Sequence, residues 1–264
     1  MFRWLIILAA CSILLADGLA AARPGPDSNY NTSISGGGGG AITFNWVNGS
    51  NTTSNGAIGS FTVGSTNAAT TNGTINSGDT LISCVSVEGS GDAGAVTVTG
   101  FTQIQTAYGS SQDPHPRRIW CGYKIAGGAE TGTYSASWAN GATGVTGASW
   151  SLMDYSGANG TTPIDTSAQN INTSFGSANM PCASVTPTPT NDMLVCAWLT
   201  RGGNGAYTGA AGMTQRFDVG STTSTVPEIL ISDKQLASNS PTGTINATQG
   251  AAETSMSITI AIQH

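Results

Sequence analysis

The chain has 264 residues, of which 39% are hydrophobic and only 8% are charged, and its formal net charge at neutral pH is -6. This hydrophobic fraction can supply a sizeable core, which argues against a disordered chain. Nucleic-acid-binding proteins concentrate Lys and Arg on one surface, and the one basic pair, Arg117–Arg118, is too small to form such a patch, so nucleic acid is not expected as a partner.

The N-terminus has the features of a secretory signal peptide. Arg3 precedes an apolar run over residues 4–16, and three alanines at 20–22 supply the small residues that signal peptidase requires. We therefore predict a signal peptide over residues 1–22 and a secreted, extracellular mature protein. The apolar run is too short to span a membrane comfortably, so no integral membrane segment is expected after cleavage.

A lipid anchor is the alternative for this segment. Residues 8–11 resemble the lipobox of bacterial lipoproteins, in which Cys11 would carry the lipid. The apolar run continues past Cys11, however, whereas a lipidated cysteine is normally followed by a polar linker. This continuation favours an ordinary signal peptide that contains a cysteine.

Residues 23–57 are predicted to form a tether and a first strand. Five consecutive glycines at 36–40 lose too much backbone entropy on ordering to form regular structure by themselves. Beyond the tether, short apolar stretches alternate with turns rich in Gly, Asn, Ser and Asp, and no amphipathic helix is evident. This pattern predicts an all-β chain.

The strands themselves fall into two patterns. Residues 81–85 and 193–199 are almost entirely apolar, which predicts central strands that are covered on both faces. Residues 134–138 and 255–262 alternate between small or polar and large apolar side chains. The alternation predicts strands with one face in the core and the other towards solvent.

An internal repeat relates the two halves of the mature chain. Residues 78–82 correspond to 191–195, and the same order continues through further blocks towards the C-terminus. The repeat predicts units at 58–157 and 164–263, produced by duplication and packed together as one antiparallel β-sandwich of jelly-roll or immunoglobulin-like type. Two units that each close alone as a small sandwich are the alternative.

The order of these motifs resembles a widespread group of uncharacterised extracellular bacterial proteins and phage-virion-associated proteins. The residues that carry the resemblance are turn and strand signatures at 78–82, 100–102, 123–126, 132–134, 154–157 and 163–165. The resemblance implies a secreted β-sandwich on a cell surface, in a matrix or on a virion. It implies no catalytic residues.

Four cysteines remain after removal of the signal peptide, and an even count in an exported chain favours disulfides over a metal site. Strand-like segments flank the turn at 188–192, which predicts a hairpin that places Cys182 opposite Cys196 and allows a bridge between them. Cys84 and Cys121, each within an apolar strand, then form the second predicted bridge. Buried free thiols are the alternative for that pair.

Catalytic patterns are weak throughout the sequence. His115 lacks the elbow sequence that accompanies a hydrolytic serine, and Glu88 and Asp92 are separated by a loop sequence rather than set opposite each other. Asp79 and Asp192 recur at the same place in both repeats, where turn chemistry before a strand explains them. We expect no catalytic residue, no metal site and no cofactor.

These observations predict a non-enzymatic extracellular structural or adhesive protein on a cell surface, in a matrix, in a filament or on a virion, with self-association or a surface glycan as the interaction. A glycan-binding, lectin-like module is the alternative. In that case Trp120, Tyr123 and Trp138 are the aromatic side chains that would stack on sugar rings, although aromatics on alternating strands more often belong to the core. A carbohydrate-active hydrolase is a third, less favoured possibility.

Overall fold

The computed structural model describes residues 41–53, 60–64, 74–109, 116–128, 130, 133–140, 145–174, 177–203, 207–219 and 226–264. The predicted signal peptide, the glycine-rich tether and His115 lie outside these residues. Within the described part, all regular elements are β-strands, and all strand pairs are antiparallel. The predicted fold class, an all-β antiparallel sandwich, is therefore confirmed.

The strands fall into two consecutive groups, which we call the first unit and the second unit. The first unit contains β1 (Thr43–Thr53), β2 (Ser60–Gly64), β3 (Thr80–Gly89), β4 (Val96–Val98), β5 (Thr102–Gly109), β6 (Arg117–Ile125), β7 (Thr133–Trp138) and β8 (Val145–Ser156). The second unit contains β9 (Ile164–Asn172), β10 (Asn179–Cys182), β11 (Met193–Thr200), β12 (Thr214–Val219), β13 (Glu228–Gln235), β14 (Ile245–Thr248) and β15 (Ser255–Ile262).

Each unit has one large and one small sheet. The first large sheet has the order β1-β8-β3-β6-β5 and the second has β9-β15-β11-β13-β12, while the small sheets are β2-β7-β4 and β10-β14. Strand registers also correspond, because Leu81 pairs with Lys124 in the first unit and Leu194 pairs with Lys234 in the second. The correspondence agrees with the predicted repeat, whose origin by duplication stays a prediction. The first repeat begins at β1, upstream of the predicted boundary at residue 58. The reason is that β1 is the counterpart of β9, the first strand of the second unit.

The four sheets stack as four layers with three apolar cores between them. A central core lies between the two large sheets, and each large sheet shares an outer core with its own small sheet. Each unit therefore closes its own small sandwich, and the two units also pack back to back. The arrangement combines the two alternatives that the sequence left open.

The two large sheets pack with approximate two-fold symmetry. Across the central core, β1 contacts β12 and β5 contacts β9. Since β1 corresponds to β9 and β5 corresponds to β12, exchanging the units converts one contact into the other. The central core is thus built like the isologous interface of a homodimer, although one chain supplies both halves.

Burial along the strands confirms most of the predicted faces. All residues of β3 and β11 are buried, as expected for central strands covered on both faces, and β7 alternates between exposed and buried residues. The prediction was wrong for β15, whose residues are all buried. The polar face of β15 is covered by the chain around β10, where Ser257 donates a hydrogen bond to the Pro181 carbonyl over 2.7 Å and Thr259 donates one to the Ala183 carbonyl over 2.8 Å.

Candidate functional site

The three aromatic side chains predicted to stack on sugars do not form an exposed row. Trp120 is only 2% exposed and Trp138 is 5% exposed, and both belong to the outer core of the first unit. Tyr123 is half-buried on the opposite face of β6, against the central core. The small sheet covers the face that carries Trp120, and the Trp120 indole N–H donates to Gln103 Oε1 over 3.1 Å inside the structure. The predicted stacking platform is therefore corrected to core packing.

Cys84 and Cys121 form a disulfide, as the sequence predicted. The two residues are direct register partners on β3 and β6, and their Cα atoms are 4.1 Å apart. Both side chains face the central core and are fully buried. The bridge therefore links two neighbouring strands in the middle of the molecule.

Cys182 and Cys196, by contrast, are free thiols in the structure, and the predicted hairpin between them is wrong. After Cys182 the chain passes from the small sheet to the large sheet, because β10 pairs with β14 whereas β11 pairs with β13 and β15. The two cysteines face the same outer core from different layers. Burial, together with the neighbouring Cys182 thiol, raises the pKa of Cys196, so this thiol stays protonated.

Two carboxyl groups meet in a buried corner of the first unit, which we call the first acidic corner. Asp79 lies just before β3 and is 5% exposed, and Asp154 lies on β8 with no exposed surface. Asp154 pairs in register with Leu81 on one side and with Trp46 on the other. Because side chains two residues apart on a strand share a face, Asp79 and Asp154 point to the same side of the sheet.

Hydrogen bonds in the first acidic corner hold one oxygen of each carboxyl group. The backbone N–H and the side-chain amide of Asn76 donate to Asp79 Oδ2 over 2.8 and 3.1 Å, which is the local turn bonding that the sequence suggested. Asn45 Nδ2 donates to Asp154 Oδ1 over 3.2 Å. Asp154 is fully buried, and the Trp46 indole and the Asp79 carboxyl group also lie within hydrogen-bonding reach of its carboxyl group. Burial, and then the negative charge of Asp79, raise the pKa of Asp154 to about 7.

The second unit carries acids at the equivalent corner, the second acidic corner. Asp192 precedes β11 as Asp79 precedes β3, and Asp165 occupies the bulge in β9 that Asn45 occupies in β1. No side-chain donor of the described residues bonds to the buried carboxylate of Asp192. Burial and the charge of Asp165 raise the pKa of Asp192 to about 6, and the backbone amide of His264 only partly offsets them. Sequence reasoning identified the recurrence of Asp79 and Asp192 but not their burial beside a second carboxyl group.

The raised pKa values predict that the protein becomes less stable as the pH rises. The folded state favours the protonated carboxyl groups, whose ordinary pKa is about 3.9 in an unfolded chain. Their contribution to the free energy of unfolding is therefore complete below about pH 4 and is lost as the pH passes through about 6 for Asp192 and about 7 for Asp154. We expect Asp154→Asn and Asp192→Asn each to flatten this decline in urea titrations between pH 5 and pH 8 in metal-free buffer. Asp92→Asn is the control and should keep the full slope, whereas an unchanged slope in Asp154→Asn would contradict the assignment.

A cluster of hydrogen-bonded side chains spans the central core and joins the two units. Arg216 Nε donates to Asp233 Oδ1 over 2.8 Å, and the Tyr155 hydroxyl donates to Asp233 Oδ2 over 3.1 Å. The Arg216 guanidinium also lies 4.1 Å from the centre of the Phe44 ring. Phe44 and Tyr155 belong to the first unit, and Arg216 and Asp233 belong to the second. Burial raises the pKa of Asp233, although Arg216 and Tyr155 oppose this effect.

The two acids considered for glycoside hydrolysis lie in different surroundings. Asp92 pairs with Arg118, whose guanidinium lies 2.9 Å from the carboxylate, and Glu88 is 1% exposed and lies beside Arg117 in the β3–β6 register. The structure therefore does not bring Glu88 and Asp92 together as two carboxyl groups across an open cleft.

The described residues contain no group of three or more His, Cys, Asp or Glu side chains arranged to hold a metal ion. None of their elements is a helix with the length and hydropathy needed to cross a membrane. Compared with models of protein families, with curated proteins and with solved structures, the chain has no match in any of the three.

Proposed function

We propose that the protein is a non-enzymatic, extracellular structural or adhesive protein that self-associates through the outer faces of its two small sheets. The observation that carries this proposal is the chemistry of those faces. Every outward-facing residue of β4, β7 and β14 is an uncharged Ser, Thr or Asn: Thr97, Thr133, Ser135, Ser137, Asn246 and Thr248.

Such faces are suited to lateral contact between copies. Hydroxyl and amide groups both donate and accept hydrogen bonds, and the lack of charge on these strands removes repulsion between identical surfaces. Neighbouring strands already show this bonding, since Thr97 Oγ1 lies 3.1 Å from Ser137 Oγ in an exposed cross-strand pair. Each molecule therefore offers a surface suited to many weak, matched contacts.

The order of the four layers also supports self-association through the small sheets. The two small sheets form the two outermost layers of the stack, so equivalent polar faces point away from each other on opposite sides. A protein with two such faces can bind a copy or a polar surface on each side and can extend an assembly. The buried disulfide and the ion pairs of Asp92 and Asp233 are compatible with an exported, non-enzymatic role.

Charging one outer face should weaken self-association. For a chain that begins at Arg23, we expect concentration-dependent assembly in sedimentation velocity, and Ser135→Lys combined with Ser137→Lys should raise the association midpoint by at least tenfold, about 1.4 kcal/mol. The reason is that like charges would then meet across identical faces. Thr102→Lys, at an exposed position of β5, is the matched control and should leave the midpoint unchanged.

A glycan array run with the same proteins separates the two candidate functions. A protein that stays monomeric at all concentrations and binds defined glycans would overturn the proposal and would favour the lectin-like alternative. Assembly that persists unchanged in the double lysine variant would show that the outer face of the first small sheet is not the contact surface.

A further inference from the structure

Cys182 and Cys196 meet in the outer core of the second unit, although they belong to different layers. Both side chains have no exposed surface and are members of the same core cluster. Thr259 is the direct register partner of Cys196, so these two side chains lie side by side on one face of the large sheet. Thr259 Oγ1 lies 3.0 Å from Cys182 Sγ, which places the Cys182 thiol against the Cys196–Thr259 pair.

The backbone around the two cysteines is also close. Cα atoms of β10 lie within 8 Å of Cα atoms of β11 and β15, whereas stacked sheets are usually about 10 Å apart. The Cys182 thiol donates to the Ile258 carbonyl over 3.6 Å, so its side chain points onto the large sheet. A disulfide joins Cα atoms about 4.4–6.8 Å apart, a separation that the close approach of β10 brings within reach.

The two thiols occur as a pair in the second unit alone. By strand register, the equivalents of Cys182 and Cys196 in the first unit are Val63 and Ser83, so the first unit lacks both thiols at these positions. A single buried cysteine is explained by its packing as a small hydrophobe. That explanation does not account for two cysteines that meet across the boundary between two layers.

The small sheet of the second unit is the layer that opens most easily. It consists of β10 and β14, which have four residues each. Short two-stranded sheets are marginally stable, so their local opening costs less free energy than global unfolding. Opening of β10 takes Cys182 out of the core and gives solvent access to both thiols. While β10 is closed, the thiols stay covered and reduced, because burial and the neighbouring Cys182 thiol raise the pKa of Cys196 and keep it from forming the reactive thiolate.

We propose that Cys182 and Cys196 are a redox-sensitive dithiol, which a disulfide oxidant converts into a bridge that locks the small sheet of the second unit onto its large sheet. The oxidant is a small-molecule disulfide of the glutathione type. The Cys182 thiolate attacks one of its sulfur atoms, the S–S bond of the oxidant breaks, and one small thiol leaves. The Cys196 thiolate then attacks the Cys182 sulfur of the mixed disulfide and releases the second small thiol. The protein loses two protons and two electrons, which reduce the oxidant to two thiols. This inference does not depend on self-association.

Oxidation of the folded protein tests whether the bridge forms. For a chain that begins at Arg23 and is incubated with oxidised glutathione, we expect both free thiols to disappear and the mass to fall by two hydrogen atoms. Non-reducing peptide mapping should find Cys182 linked to Cys196 and the Cys84–Cys121 bridge unchanged. The wild-type protein alone decides this result, so no variant has to fold for it.

Amide hydrogen exchange measures the locking of the small sheet. Oxidation should slow exchange in β10 and β14 by about tenfold, because the bridge holds β10 against β11 while the sheet fluctuates. Exchange in β4 and β7 of the first unit should stay the same. Cys182→Ala combined with Cys196→Ala is the matched control, and oxidised glutathione should not alter its exchange.

Three results would contradict the proposal. The first is a wild-type protein that keeps both thiols free after the amides of β10 have exchanged, because opening would then not expose the thiols to the oxidant. The second is a bridge that forms only in urea, or glutathione that remains on one cysteine without a bridge. The third is a bridge that forms but leaves exchange in β10 and β14 unchanged, which would rule out the locking.

Discussion

Replacing both Cys84 and Cys121 by alanine is expected to lower the free energy of unfolding by about 4 kcal/mol in the entropic model of loop closure. The two cysteines are 37 residues apart in the sequence, and their bridge restricts the unfolded chain more than it restrains the native strands, which are already paired in register. Urea denaturation of the oxidised proteins measures the difference. Adding dithiothreitol to the wild-type protein should produce a comparable loss.

The second pair of cysteines provides a matched control for this experiment. Cys182→Ala combined with Cys196→Ala removes two buried sulfur atoms but no covalent bond, so it should cost only packing and the weak hydrogen bonds of Cys182 with Thr259 and the Ile258 carbonyl, and dithiothreitol should not change its effect. Equal losses in the two double variants would show that the bridge contributes nothing beyond packing. Non-reducing peptide mapping would then have to find a different pairing.

Asp233→Ala should be among the most damaging single substitutions, with a loss of about 3–5 kcal/mol in the free energy of unfolding. The Asp233 side chain is 1% exposed and its Arg216 partner is 17% exposed, so removal of the carboxylate leaves a positive charge unpaired in the central core. The Tyr155 hydroxyl loses its acceptor at the same time. Chemical denaturation measures the effect, and combining the substitution with Arg216→Met should recover part of the loss.

The Asp92–Arg118 ion pair is the control for Asp233→Ala, because it distinguishes the effect of burial from the effect of charge pairing on the free energy of unfolding. Both pairs join an aspartate to an arginine at similar distance, but the Asp92 side chain is 36% exposed. Asp92→Ala should therefore cost no more than about 1 kcal/mol, as is typical of solvent-exposed ion pairs. A loss of that small size for Asp233→Ala would contradict the view that this group holds the two units together.

The sequence allowed much of the fold to be predicted because local patterns determine it. The apolar runs at 81–85 and 193–199 are strands of the two large sheets. The pairing of Cys84 with Cys121 was predicted as the pair that remained once Cys182 was assigned to Cys196, so the structure confirms the pair but not the assignment that led to it. The hairpin expected around 188–192 failed because turn residues do not reveal whether a chain returns within one sheet or passes to the next layer. The same limitation misplaced the polar face of β15, whose Ser and Thr residues bond to the chain around β10 instead of to water.

The candidate sites were harder to predict because they depend on which layer covers a side chain. Trp138 alternates with the polar residues of β7, whereas Trp120 stands between Ile119 and Cys121, and only the small sheet above them shows that both are core residues. Asp154 carries no local signal, since its partner Asp79 lies far away in the sequence and meets it only through the pairing of β3 with β8. The recurrence of Asp79 and Asp192 was the signal that could have led to the two acidic corners.

The back-to-back packing of the two large sheets has a consequence for how the chain matures. The first unit is synthesised before the second, and until the second arrives its large sheet exposes the apolar side chains of Ile82, Ile119 and Met153. That face fits the equivalent face of any other nascent chain as well as its own, because the contact is nearly symmetric. Exchange of units between chains and transient aggregation are therefore hazards specific to this fold, and the short connection between β8 and β9 counters them by keeping the correct partner at a high effective concentration.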